Sequence, residues 1–288
     1  ETIQGRVTHL GPVISDNTYD DETDTITGFD NAEALAIRWT GDDINTVIES
    51  GIQLNRARNW EDFYNALRLW DMPAQNFVYT DVEGNIGYVA PGRVPVRAPG
   101  HSGMLPVDGT TDEFVWRGYI PYEYLPALTN PERGYLSSAN QPTVPLEYYD
   151  FLAAELGDEF GEDAVYNFRQ SWPVGYRGAR LNELLEAEDA HNFDTFRDIQ
   201  GDNKSLFAQE LLPFIAELDM GNDEINEARD WLAAWDYQMN IESGEAVLFA
   251  HFMRALLFNL FEDQLGDLTD PTGSARNMHA TTALLADP

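Results

Sequence analysis

The stretch Gly134-Tyr-Leu-Ser-Ser-Ala-Asn-Gln-Pro142 decides how the rest of this 288-residue chain is interpreted. Its first part, Tyr135 to Ala139, predicts a short strand that ends at Asn140. Side chains at the ends of strands are often placed for chemistry. A primary amide donates hydrogen bonds without carrying a formal charge, so Asn140 is a candidate donor to an oxygen atom that becomes negative during a reaction. The alternative is that Asn140 only terminates the strand before a turn.

Four further blocks lie around this stretch in a fixed order. With residues 134–142 they resemble the β-chain of the penicillin acylase family, amide hydrolases of the N-terminal-nucleophile superfamily, over about Arg6 to Leu257. The resemblance implies an α+β fold, as part of a four-layer αββα sandwich with an attached helical region. The blocks are Ala34-Leu-Ala-Ile-Arg-Trp-Thr-Gly41, Asn59-Trp-Glu-Asp-Phe63, Asn76-Phe-Val-Tyr-Thr-Asp-Val-Glu-Gly-Asn-Ile-Gly-Tyr88 and Tyr176-Arg-Gly-Ala-Arg-Leu-Asn-Glu-Leu-Leu185.

The resemblance assigns roles to two residues. Asn140 matches the family's oxyanion-hole Asn, whose partner donor is a backbone amide outside this chain. Arg177 matches the family Arg beside the nucleophile, where a permanent cation can orient the substrate and lower the pKa of an N-terminal amine. The alternative for Arg177 is an ordinary salt bridge to one of the many carboxylates, and Arg180, three residues on, is expected to form a structural ion pair.

The nucleophile of the family is the freed N-terminal residue of the β-chain, usually Ser, whose own α-amine acts as the base. This chain starts with Glu1, whose side chain cannot take that role. We therefore expect an interior piece of a larger enzyme, inactive alone, whose partners are the remaining α- and β-chain segments. The alternatives from other classes are a non-catalytic structural fragment and a binding module.

A structural calcium ion is also implied by the resemblance. Pro95 matches a position that supplies a backbone carbonyl, and Asp150 matches one that supplies a carboxylate. Calcium is a hard cation that requires several oxygen ligands, so the others would come from segments outside this chain.

Composition narrows the possible partners and surroundings. Fifty acidic residues against seventeen basic ones give a formal charge of -33, which disfavours nucleic acid as a partner. Sixteen of the cations are Arg and only Lys204 is Lys, a pattern typical of proteins in molar salt, where the Debye length falls to about 3 Å. An acidic protein from low salt is the alternative. No cysteine is present, which excludes disulfides and thiolate catalysis.

The sequence predicts no membrane segment, since no run of 18 apolar residues occurs. The resemblance implies a secreted or extracytoplasmic protein. Its implied substrate is a small N-acyl amide, cleaved through an acyl-enzyme. The family's substrates range from penicillins with aromatic acyl groups to N-acyl-homoserine lactones and lipopeptides.

The chain is expected to divide near Phe151, into a strand-rich part over 1–150 and a mainly helical part over 151–288. Asn59 can cap a helix that begins at Trp60. Residues 76–79 and 86–89 predict a β-hairpin, with Gly84 supplying a positive φ. Residues 91–131, rich in Pro and Gly, predict an extended surface loop, and residues 244–265 predict a buried helix.

Overall fold

The computed structural model describes residues 5–15, 18–20, 25–27, 34–168, 172, 174–266 and 275–286. Within these residues the protein combines helices with small antiparallel sheets. The helices are α1 (Val47–Leu54), α2 (Trp60–Leu67), α3 (Glu147–Phe160), α4 (Tyr176–Glu186), α5 (Phe193–Gly201), α6 (Leu206–Leu211), α7 (Asp223–Ala233), α8 (Gly244–Leu265) and α9 (Ala275–Ala286). The strands are β1 (Val7–Thr8), β2 (Gly11–Pro12), β3 (Thr18–Asp20), β4 (Thr25–Thr27), β5 (Phe77–Thr80), β6 (Ile86–Val89), β7 (Pro95–Val96), β8 (Gly118–Tyr119) and β9 (Ala127–Thr129).

The chain divides into two compact units. The first unit comprises Glu1–Leu136 and Thr143–Ser171, and the second comprises Ser137–Pro142 and Trp172–Pro288. The segment that contains Asn140 thus belongs to the helical second unit, although the first unit precedes and follows it in sequence. The division near Phe151 that composition suggests stays a prediction.

Local patterns in the first unit were predicted correctly. The side chain of Asn59 accepts a hydrogen bond from the amide of Asp62 at 2.8 Å, which caps α2. Strands β5 and β6 pair antiparallel, with Phe77 opposite Val89, and Gly84 has a φ of 86° in the turn between them. The strand β9 adds to the other edge of β6 and completes a three-stranded sheet.

The prediction of a surface loop over residues 91–131 was wrong. Strands β7 and β8 pair within it, and Val94, Val96 and Ala98 alternate into the interior with at most 7% of each residue exposed. Val94 and Val96 belong to a core cluster that also contains Leu152 of α3. The Pro and Gly residues mark turns, but the alternation of small apolar residues between them predicts burial and was the better guide.

The second unit is built around a helical core. Its main cluster contains Phe207, Leu211, Leu212, Leu232, Trp235 and Phe249. Side chains cap four of its described helices, because the first amides of a helix lack partners within it. These caps are Asn192 on α5, Ser205 on α6, Asn222 on α7 and Ser243 on α8.

Helix α8 is less buried than its apolar composition predicts. Its buried residues are Ala246, Phe249 and Leu257, whereas Val247 is 56% exposed and Phe258 39% exposed. Within the described residues α8 is long and apolar enough to cross a membrane by length and composition, a test that core helices of soluble proteins also pass. The absence of a membrane partner therefore stays a prediction.

Candidate functional site

The segment before Asn140 is not the predicted strand. Ser137 to Asn140 have no strand partner in the described part of the chain, and side chains of the second unit satisfy their polar groups instead. Gln141 accepts a hydrogen bond from the amide of Ala139 at 2.5 Å and donates one to the carbonyl of Ser137 at 3.2 Å. The Ser137 hydroxyl donates to Asn182 of α4 at 2.7 Å. The prediction failed because these bonds depend on residues beyond the apolar run.

Asn140 lies at the bend of this segment in the left-handed conformation, with a φ of 63°. Asn tolerates this conformation better than most residues that have a Cβ atom. The side chain is exposed and contributes to the wall of a cavity. The bend therefore presents the amide to open space and does not pack it into the core.

Arg177 holds the amide of Asn140 in one orientation. Its Nη2 donates to Oδ1 of Asn140 at 2.6 Å and to the carbonyl of Ala139 at 3.1 Å. A guanidinium has donors only, so the atom of Asn140 that faces it must be the carbonyl oxygen. The Nδ2 group then points away, and among the described residues it has no hydrogen-bond partner. The geometry leaves two N–H donors available.

Helix α4 supplies Arg177 and much of the cavity wall. Residues 177, 180, 181 and 184 follow the spacing that places side chains on one face of a helix, and all four line the cavity. Gly178 is buried beside them, and a Cβ atom there would lie 3.3 Å from Cδ of Gln141. The absence of a side chain at Gly178 lets the Asn140 segment lie directly against α4.

Arg180 forms the ion pair that was expected of it. Its Nη2 lies 2.7 Å from Oδ1 of Asp202, and its Nε donates to Oδ2 of the same carboxylate at 2.9 Å. The side chains of Arg180 and Asp202 are only 17% and 12% exposed. The hydrogen bonds from Arg180 hold the pKa of Asp202 below its usual range. This bidentate pair fixes the face of α4 that carries Arg177.

The cavity beside Asn140 has a volume of about 710 Å³ and belongs entirely to the second unit. Apolar side chains form much of its wall, including Leu181, Leu184, Ile199, Met239, Met253 and Met278. Lys204, the one lysine of the sequence, also lines it and makes no ion pair with the described residues. Its rarity in the sequence was the signal that could have placed it among the candidate residues.

The residues proposed for calcium do not form a complete site by themselves. Pro95 is buried in β7, and Asp150 is exposed in the first turn of α3. No group of three or more His, Cys, Asp or Glu side chains in the described ranges could hold a metal ion. Calcium takes about six to eight oxygen ligands, and these two residues would supply a minority of them.

Comparison with known proteins identifies relatives for the whole chain. The penicillin amidase family model matches residues 1–288. The penicillin acylase 2 proenzyme of Pseudomonas sp. (strain SE83) is 32% identical over 67% of this chain and 23% of its own length. The acyl-homoserine lactone acylase QuiP of Pseudomonas aeruginosa is 28% identical over 84% of this chain and 28% of its own length. The penicillin G acylase of Escherichia coli is 28% identical over 71% of this chain and 23% of its own.

A solved structure shows the same fold. The thermostable penicillin G acylase from Alcaligenes faecalis aligns with a TM-score of 0.62 at 20% identity, over 91% of this chain and 43% of its own. The chain thus spans about a quarter of the curated relatives' length. The α+β class expected from the sequence is confirmed, together with its relation to the N-terminal-nucleophile hydrolases. The chain belongs to the penicillin amidase family.

Proposed function

We propose that this chain supplies the oxyanion-hole donor of an amidohydrolase that cleaves a linear N-acyl amide. The observation that supports this role is the orientation of Asn140, whose oxygen is engaged by Arg177 while its N–H groups remain available beside a cavity. A donor that is fixed before the reaction stabilises developing charge without reorganising at that moment.

The proposed reaction begins on an N-terminal Ser that lies outside this chain. Its own α-amine takes the proton from the hydroxyl, and the Ser oxygen adds to the amide carbon of the substrate. The carbonyl oxygen becomes negative, and Nδ2 of Asn140 donates to it together with a backbone amide from another segment. When this intermediate collapses, the C–N bond breaks and the leaving amine takes the proton held by the α-amine. Water then hydrolyses the acyl-enzyme to a carboxylic acid and restores the Ser hydroxyl.

Arg177 would act mainly through Asn140. Its hydrogen bond to Oδ1 prevents the amide from turning its acceptor toward the substrate, where a second oxygen would repel the oxyanion. The positive charge of Arg177 would also lower the pKa of a neighbouring N-terminal amine and so keep that amine in its basic form at neutral pH.

The names of the relatives define two substrate classes. Penicillin acylases and acyl-homoserine lactone acylases both match most of this chain, which supports an enzyme that cleaves the bond between an acyl group and an amine. A penicillin-type amide is the first candidate, and an N-acyl-homoserine lactone or a lipopeptide is the alternative within the same reaction.

The surroundings of the enzyme are part of the proposal. The remaining α- and β-chain segments would complete the site, and the isolated chain would show no turnover. A calcium ion would take the carbonyl of Pro95 and the carboxylate of Asp150, with further ligands from those segments. The relatives support an extracytoplasmic protein, and the Arg-rich, acidic composition supports work in molar salt without nucleic acid as a partner. No membrane partner is part of the proposal.

The substitution Asn140→Asp tests the donor directly. Aspartate tolerates the left-handed conformation and can still contact Arg177, but its carboxylate removes the N–H donors and places negative charge near the oxyanion. In the processed enzyme that contains this chain, we expect kcat for phenylacetyl and long-chain acyl amides to fall by about 10²–10³-fold or more, with KM little changed.

Asn130→Asp is the matched control. Asn130 also has a positive φ, 43°, but its side chain is used within the first unit, where Oδ1 accepts from the amide of Ile86. Its substitution should leave kcat near the wild-type value. Processing of each variant is checked by mass spectrometry. An Asn140→Asp enzyme that is processed and retains full kcat would contradict the proposed role.

A further inference from the structure

A second cavity lies in the first unit, apart from the site described above. It has a volume of about 670 Å³, within the range of small-molecule pockets. Apolar side chains cover much of its wall: Leu10, Leu35, Ile37, Leu105, Phe114 and Val115. The amide hydrolysis proposed above uses none of these residues.

Arg97 is the unusual group in this cavity. Its Nε is fully buried and has no hydrogen-bond acceptor. No side-chain hydrogen bond or ion pair of Arg97 occurs among the described residues, although the sequence contains fifty acidic side chains. Burial lowers the pKa of this guanidinium, which means that its environment disfavours the charge. A partly desolvated cation without an anion is costly, and a ligand that supplied the anion would reduce this cost.

A second arginine lies over the same indole ring as Arg97. The guanidinium of Arg97 lies 5.7 Å from the centre of the Trp116 ring, and that of Arg38 lies 5.1 Å from it. Arg38 is paired with Asp43 at 3.4 Å, so its charge is already balanced. Of the two cations over this indole, Arg97 is therefore the one without an anion among the described residues.

The other polar groups of the wall do not neutralise Arg97. Asp108 is the carboxylate that lines the cavity, and it accepts from the amide and hydroxyl of Thr110 at 2.9 and 2.6 Å. His9 lies 3.6 Å from Asp112, and His101 contacts the carbonyl of Phe114 at 3.1 Å. Of the charged side chains in the described wall, Arg38 is thus paired with Asp43, and no hydrogen bond or ion pair joins Asp108 to Arg97.

We propose that this cavity binds a small organic monocarboxylate whose body is apolar. The planar guanidinium of Arg97 matches a carboxylate, which can accept two parallel hydrogen bonds from it. The apolar wall would then cover the alkyl or aryl body of the ligand. One unpaired guanidinium suits a single negative charge, whereas a phosphate dianion would need more donors than this wall offers. The proposal does not depend on the amidase activity.

Calorimetric titration of the full chain tests the proposal with two matched pairs of ligands. Octanoate and phenylacetate carry the charge, and octanamide and phenylacetamide have the same shape without it. We expect each carboxylate to bind at least about tenfold more tightly than its amide, because hydrogen bonds between two charged groups are stronger than those to a neutral amide. Chloride should weaken the carboxylates and leave the amides unchanged.

Arg97→Gln should abolish the preference for carboxylates, and Arg97→Lys, which keeps the charge but loses the planar fork, should retain part of it. Arg133→Gln is the matched control. Arg133 also stacks on an aromatic ring, 4.6 Å from the centre of Tyr135, but does not line the cavity. Its substitution should change neither affinity.

Three results would overturn the proposal. The first is equal affinity for the carboxylate and its amide, which would indicate an apolar site only. The second is carboxylate binding that survives Arg97→Gln in a folded variant. The third is no binding of either carboxylate to the wild-type chain at millimolar concentrations. Circular dichroism of each variant establishes folding, and the wild-type comparison of acid with amide stands even if Arg97→Gln does not fold.

Discussion

Two arginines, one in each unit, contrast in how their charge is used. Arg177 in the second unit donates to Oδ1 of Asn140 at 2.6 Å and to a backbone carbonyl at 3.1 Å. Arg97 in the first unit has a buried Nε without any acceptor. Both residues line cavities of similar volume, about 710 and 670 Å³. The contrast distinguishes an arginine that orients another side chain from one whose donors remain available to a ligand.

The difference follows from the segments that surround each guanidinium. Around Arg177, the bend at residues 137–142 turns carbonyl oxygens toward α4, and Gly178 permits the close approach. Around Arg97, the neighbours include the ring of Trp116 and apolar side chains of the cavity wall, and the buried Nε finds no acceptor there. The same residue type therefore contributes to preorganisation in one unit and to ligand affinity in the other.

Among the substitutions that test this comparison, Arg177→Met should have the largest effect, a fall in kcat. Met keeps a similar length but removes the donor to Oδ1, so the amide of Asn140 can rotate. We expect kcat of the processed enzyme to fall by about 10–100-fold with a smaller change in KM, since one charge-assisted hydrogen bond contributes about 1.5–3 kcal/mol. Steady-state kinetics with a phenylacetyl amide measures both constants.

The double variant distinguishes an Arg177 that acts through Asn140 from an Arg177 that acts independently of it. If Arg177 acts through Asn140, the double variant with Asn140→Asp should lose little more kcat than Asn140→Asp alone. Arg177→Lys, which keeps a donor, should recover part of the loss. Additive losses in the double variant would mean that Arg177 contributes independently of Asn140, for example through the N-terminal amine.

Short-range features of the fold could be predicted from sequence. The cap at Asn59 and the hairpin around Gly84 each depend on residues within a few positions of one another. The helix at residues 244–265 was also predicted, but the full burial expected of it was wrong, because exposure depends on what packs against it.

Contacts between segments that are distant in the chain could not be predicted from the sequence. The family resemblance placed Asn140 and Arg177 in one site, but not the hydrogen bond between side chains 37 positions apart. The strand expected before Asn140 is absent because Gln141 and Asn182 satisfy that segment. The exposure of Asn140 and the missing acceptor of Arg97 depend on the tertiary surroundings, and no local pattern predicts either.

Asp202→Asn should have an intermediate effect, on the free energy of unfolding. It tests whether the ion pair between Arg180 and Asp202 stabilises the face of α4 that carries Arg177. The substitution replaces an ion pair whose members are 17% and 12% exposed, so we expect the free energy of unfolding to fall by about 1–2 kcal/mol at neutral pH. Chemical denaturation followed by circular dichroism measures this difference.

The pH dependence of that difference has a definite sign. The pKa of Asp202 is lower in the folded protein, because of its hydrogen bonds with Arg180, than in the unfolded chain. Its contribution is therefore fully present above the unfolded value of about 3.9 and is lost as pH falls through the folded value. The wild type and Asp202→Asn should converge in stability below about pH 4. A difference that persists unchanged at lower pH would contradict the ionic origin.

Arg97→Gln should have the smallest effect on the free energy of unfolding. This substitution tests most directly whether Arg97, unlike Arg177, lacks partners within the protein. The substitution loses the contact with Trp116, which contributes about 0.5–1 kcal/mol, but it also removes a desolvated charge that has no acceptor. We expect the two terms to offset each other, with a net change in unfolding free energy within about 1 kcal/mol of zero. Denaturation without added ligand measures it.

Arg180→Gln is the matched substitution, since it removes a guanidinium that is fully used. It leaves the carboxylate of Asp202 without its partner and should therefore be clearly destabilising. If Arg97→Gln costs as much as Arg180→Gln, then Arg97 stabilises the folded chain as an ordinary structural residue. If Arg97→Gln instead costs close to nothing and abolishes the preference for carboxylates, then Arg97 serves ligand binding. A residue that served only the stability of the fold could not be removed without cost.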